Sequence, residues 1–194
     1  IGVGIYIVIL ISLFGLYLYT YRRKLLDNLR HVLFFTILMA MLICAAFLVL
    51  RHFSASYIFL IPFAWVPIIT RVFYDSRTAI FIHIITVFIV SIAAPAPYVF
   101  ILLQVITGIV AVISLRDMTQ RAQLAQTALF TFLMYSVVYT ASTLLVTGSI
   151  ANVEYNYYIY FAVNAVLVIC AYGLILLFER TFGLVSNITL VELT

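Results

Sequence analysis

Three histidines, six acidic side chains, ten basic ones and two cysteines are nearly all the chain has for binding metal, moving protons or attacking a substrate. Their spacing limits the chemistry. Cys44 and Cys170 lie far apart inside apolar runs, with neither the paired ligands of a zinc site nor the pattern of a disulfide framework. His31 and His83 fall toward the same end of two different apolar runs. Two imidazoles from separate helices can ligate a haem iron, but such ligands need a supporting shell, and a hydrogen-bonded interfacial histidine is the simpler role. His52, beside Arg51, lies at the opposite end. Neutral polar residues are more suggestive. Gln104, Thr107, Tyr135, Ser136, Tyr139, Thr140, Ser142, Thr143 and Asn164 interrupt three late apolar runs. Such side chains join helices by hydrogen bonds, or they line a pocket, for which Gln104, Tyr135, Tyr139, Thr143 and Asn164 are the candidates. A third group, Arg71, Asp75, Arg77, Arg116, Asp117, Arg121, Glu179 and Arg180, occupies the short segments between runs. These make either topogenic and headgroup contacts or a docking face for a cytoplasmic domain.

The elements that must position these residues follow from composition. Of 194 residues, 67% are apolar and 8% charged, against roughly 45–50% and 25% in a soluble domain. The chain is therefore read as an all-α, polytopic membrane bundle. Seven runs approach the length that a bilayer core of about 30 Å requires, at about 1–20, 32–50, 57–70, 78–94, 97–114, 123–147 and 157–178. The third is short and carries Pro62 and Pro67, so it is expected to be kinked, and a re-entrant course is the alternative. Charge favours a crossing. With seven spans, nine of the ten cations share one side and only Arg51 faces the other; without the third crossing the asymmetry vanishes. The positive-inside rule then puts the amino terminus outside and the carboxyl terminus in the cytoplasm. Tyr17, Tyr19, Tyr21 and Tyr74 fall at the inner interface, and Tyr57, Tyr98, Tyr155, Tyr157, Tyr158 and Tyr160 at the outer one.

This frame excludes several functions. No Asp, Glu, Lys or Arg lies deep in a span, which argues against proton pumps, ion-coupled transporters and voltage sensors. The only lysine, Lys24, lies between runs, which argues against a retinal Schiff base. The formal charge of +4 is topological rather than a sign of nucleic-acid binding, because the cations occupy short loops. The bilayer is the expected partner, and homo-oligomerisation is compatible with the composition. The first run lacks a signal peptide's basic region and cleavage site, and Thr189 and Glu192 have capping-box spacing. Both features lead us to expect the membrane portion of a longer polypeptide, with 1–178 as the bundle and 179–194 as a cytoplasmic connector.

Two stretches carry a family resemblance. LIPFAWVPIITRVFYDSRTAI spans residues 60–80, and YGLILLFERTFGLVSNITLVELT spans residues 172–194. Together with the span count, they resemble the membrane domain of the bacterial seven-transmembrane HD-hydrolase receptors, the group that includes the PgpH-type cyclic di-AMP phosphodiesterases. In the second stretch Gly173, Glu179, Phe182, Gly183, Leu190, Glu192 and Leu193 match, while Leu176 stands where the pattern has proline. The resemblance implies a bacterial inner-membrane location, an extracellular domain before the spans and a cytoplasmic HD phosphodiesterase after them. Divalent metals would be held in the HD domain, and Phe182, Gly183, Thr189 and Glu192 would serve as connector. That chemistry needs His and Asp ligands to polarise a phosphodiester. This chain has no His-Asp dipeptide, so it is expected to anchor and transmit, binding at most an unidentified small ligand, rather than hydrolyse. A substrate-binding membrane subunit of a vitamin-type uptake transporter is the alternative that composition and size leave open.

Overall fold

A computed structural model describes residues 2–115 and 122–184. Among these, regular structure is entirely helical: α1 Gly2–Tyr21, α2 Arg23–Leu26, α3 Leu29–His52, α4 Trp65–Phe73, α5 Ser76–Ser91, α6 Pro97–Ser114, α7 Ala122–Thr147, α8 Asn156–Ile169 and α9 Ala171–Phe182. Short 3-10 helices cover Ala55–Leu60 and Ile150–Asn152. Six stretches are long and apolar enough to cross a membrane, counting Ala55–Phe73 and Asn156–Phe182 as one each, and Ser76–Ser91 is a shorter apolar helix.

The third span crosses the bundle. At its start Tyr57 meets Phe53, just past the end of α3, and after its end the Tyr74 hydroxyl lies 2.7 Å from His31 Nδ1, near the start of α3. The segment thus runs the length of α3, about 36 Å at 1.5 Å per residue, and a re-entrant course is ruled out. Its backbone is interrupted rather than merely kinked. The 3-10 helix ends at Leu60, residues 61–64 are irregular, and α4 begins at Trp65. Pro62 falls in the break and Pro67 in the first turn of α4, where an amide proton is not needed. Non-helical backbone at membrane depth must be enclosed by protein. Accordingly this is the most buried of the long spans, with Ile58, Phe63, Val66, Ile68, Ile69 and Val72 all buried.

The seventh span is also divided. A single residue, Cys170, separates α8 from α9. No proline is responsible. The indole Nε1 of Trp65 donates to the Leu167 carbonyl at 2.8 Å, and the Cys170 and Gly173 amides close tighter i→i−3 bonds to Leu167 and Cys170. A side chain entering the helix ladder is a recognised cause of such a break. The helix then runs to Phe182, four residues past the expected span end, and stops at Gly183, whose φ of 62° lies in the left-handed region that glycine enters without steric cost.

At the edge, α1 is apolar all round and largely exposed, as a lipid-facing helix should be. It holds to α5 through Tyr17, whose ring stacks on Phe81 at 4.1 Å and whose hydroxyl lies 3.1 Å from Thr78 Oγ1. Cys44 and Cys170 are free and exposed. Helices α5 and α6 approach closely at Gly108. A Cβ added to Gly108 would overlap the imidazole of His83, and that ring is pinned by its Nε2–H donating to the Gln104 carbonyl at 2.8 Å. Gly108→Ala is expected to cost about 1–3 kcal/mol through overpacking, read as a lower melting temperature in detergent. An unchanged melting temperature would show that the ring moves aside freely.

Candidate functional site

The polar side chains divide into a group that joins helices within the bundle and a group that lines a cleft. Within the bundle, Tyr135 on α7 donates its hydroxyl proton to Gln104 Oε1 on α6 at 2.6 Å, and its ring stacks on Phe161 of α8 at 5.2 Å. Asn164 on α8 donates from Nδ2 to two carbonyls of the broken third span, Phe59 at 2.9 Å and Ile61 at 2.8 Å. All three polar side chains are buried. Asn164 and Trp65 thus form a reciprocal pair of contacts: the seventh span satisfies the break in the third, and the third interrupts the seventh. The two imidazoles considered as haem ligands are held separately, His83 on Gln104 and His31 on Tyr74.

Tyr139 and Thr143 reach a different place. They line a cleft of about 330 Å³ with Ser142, Val146 and Thr147 of α7, Ile58 and Phe59 before the break, Pro95, Ala96, Val99 and Phe100 around the start of α6, and Glu154 and Tyr157 around the start of α8. Four segments distant in sequence meet there because the spans alternate direction, which brings these segments to the end opposite Arg22. Tyr139 and Tyr157 stack with centroids 4.8 Å apart, and the Glu154 backbone N–H donates to the Tyr139 hydroxyl at 3.3 Å. Of the five candidate pocket residues, the structure therefore brings Tyr139 and Thr143 to one cleft, while Gln104, Tyr135 and Asn164 are engaged between helices. Glu154 and Tyr157 were not singled out from the sequence. Glu154 did carry a signal, as the only acidic residue on the side that the charge arithmetic assigns to Arg51.

At the other end, Asp75 pairs with Arg22 rather than with its neighbours in sequence, at 2.6 Å. Burial pushes the Asp75 carboxyl up, but hydrogen bonds from Thr78 and Arg22 and the Arg22 charge outweigh it and hold the group below the usual carboxylate range. Burial likewise pushes the Tyr74 phenol up, so Tyr74 stays neutral beside His31. Arg71 is half-buried on α4, Arg77 and Arg180 are exposed, and Glu179 is half-buried on α9. Arg116, Asp117, Arg121, Thr189 and Glu192 lie outside the described residues. Arg22, Arg23 and Lys24 with Tyr74 and Asp75 line a second, polar cleft at this end. Phe178 and Phe182 of α9 pack edge-on against Phe34 of α3, so the exit of the last span is held against the bundle. Among the described residues no three His, Cys, Asp or Glu side chains gather into a group that would hold a metal.

A family model described as a 7TM receptor with intracellular HD hydrolase matches residues 1–186. No curated protein and no solved structure matches the chain.

Proposed function

Since the chain belongs to the seven-transmembrane receptors with an intracellular HD hydrolase, we propose that it receives a signal at the Tyr139 end and passes it to a cytoplasmic phosphodiesterase acting on cyclic di-AMP. The single observation that carries the reading is the course of the seventh span. It starts at the cleft with Tyr157, contacts the broken third span through Asn164 and Leu167, and ends with Phe182 against Phe34. One element thus touches the receiving end, the interrupted centre and the exit. Coupling of this kind needs packed side chains with a defined arrangement at both ends.

In this reading the Arg22 end faces the cytoplasm of a bacterium, and Arg71, Asp75, Arg77, Glu179 and Arg180 offer the attached domain a surface of mixed charge. Arg116, Asp117 and Arg121 join that surface by the charge arithmetic. The hydrolase carries the divalent metals; this chain supplies anchoring and control. Two measurements test the proposal. With Cys44 and Cys170 replaced, an introduced Ser149→Cys is expected to label from outside the cell and Lys24→Cys only from the cytoplasm; labelling of both from one side overturns the topology. The full-length protein in lipid is expected to hydrolyse cyclic di-AMP, and inactivity on it beside activity on another cyclic dinucleotide overturns the substrate.

A further inference from the structure

The lining of the 330 Å³ cleft points to a ligand class. Its volume is at the small end of ligand sites, roughly 300–1,000 Å³. The polar side chains it presents are hydroxyls and one carboxylate. Ser142 gives its hydroxyl proton to the Tyr139 carbonyl at 2.9 Å and Thr147 gives its own to the Thr143 carbonyl at 2.8 Å, so each has only lone pairs left to offer. Ser56 and Tyr157 share a hydrogen bond at 3.2 Å, which engages one of their two protons. No Lys, Arg, His, Asn or Gln lines the cleft. Glu154 adds a carboxylate, and among the described residues no cation pairs with it. The remaining walls, Phe59, Val99, Phe100 and Val146, are apolar, and Tyr139 and Tyr157 add aromatic surface.

A cleft with one carboxylate, several hydroxyl lone pairs, aromatic walls and no cationic or amide side chain complements a group with several donors and a positive charge. An ammonium has three N–H donors and no lone pair, and aromatic faces attract it further. We propose that the cleft binds a small primary amine, its ammonium at Glu154 and its hydrocarbon body against Phe59, Phe100 and Val146. This deepens the receptor reading and rests on it only in taking the cleft as the receiving end. A neutral alcohol of the same skeleton keeps a single donor and no charge, and a carboxylate is repelled by Glu154.

The test uses the full-length receptor in zwitterionic lipid nanodiscs, with empty nanodiscs as the partition control. Phenethylamine, 2-phenylethanol and 3-phenylpropionate are titrated calorimetrically. The amine is expected to bind at least tenfold more tightly than the alcohol, with no binding of the acid. Glu154→Gln should remove that preference, and Val146→Trp, which fills the cleft, should abolish binding of amine and alcohol alike. Equal affinity for amine and alcohol, an amine preference that survives Glu154→Gln, or no amine binding above the empty-nanodisc control overturns the proposal. Cyclic di-AMP hydrolysis is measured on the same preparation without amine, so failure of the amine site is distinguishable from failure of the receptor reading.

Discussion

Replacing Asn164 by leucine is expected to destabilise the bundle by about 1–3 kcal/mol, because it takes the side-chain donor from the buried Phe59 carbonyl and leaves the Ile61 carbonyl only the Phe63 amide. Phe59 and Ile61 flank the point where the third span loses helical structure, and the Asn164 amide reaches both, at 2.9 and 2.8 Å. Leucine is close in volume, so packing around position 164 is kept and the measurement isolates the hydrogen bonds. The readout is the thermal unfolding of purified protein in detergent. Thr143→Val, a change at the cleft rim, should lower the melting temperature far less. A loss below about 0.6 kcal/mol, the average for interhelical bonds in a membrane protein, would show that the Asn164 contacts do not hold the break.

The second large effect is functional. A flexible Gly-Ser insertion after Gly183 in the full-length receptor is expected to abolish all dependence of hydrolysis on the membrane domain while keeping the basal rate of the isolated hydrolase. The exit of the last span is held by ring contacts of Phe178 and Phe182 with Phe34 at 5.1 and 5.8 Å, and Leu184 packs against the same core. Movement of α9 therefore reaches residue 184 as a rigid displacement. An insertion at the left-handed Gly183 leaves the Phe178 and Phe182 contacts intact and removes only the stiffness of the chain between α9 and the hydrolase. Hydrolysis measured with and without the membrane domain, before and after insertion, reads the result. Regulation that persists unchanged would mean the signal travels by another route, such as direct docking on Arg77 and Arg180.

Each span was legible because hydropathy is a property of a contiguous run. The breaks were less so. Pro62 announced a kink in the third span, but neither the interruption nor that the segment would become the most buried of the long ones; burial follows because freed backbone groups need protein around them. Nothing near Cys170 marked a break in the seventh span, since its cause, Trp65, lies 102 residues from the Leu167 carbonyl it engages. Of the candidate pocket, Tyr139 and Thr143, neighbours one turn apart on α7, reach one cleft. Gln104, Tyr135 and Asn164 had the right chemistry for a pocket, but their partners were chosen by packing.

What the sequence determined by itself is the all-helical membrane class and the set of apolar helices, readable from runs of residues taken one at a time. Only the tertiary structure decided that Asp75 pairs with Arg22, that Asn164 closes the break at Ile61, and that Glu154 and Tyr157 join Tyr139 in one cleft. The physical reason is that a polar side chain in a bundle is satisfied by whichever helix face packs against it, and interhelical packing depends on all the spans at once.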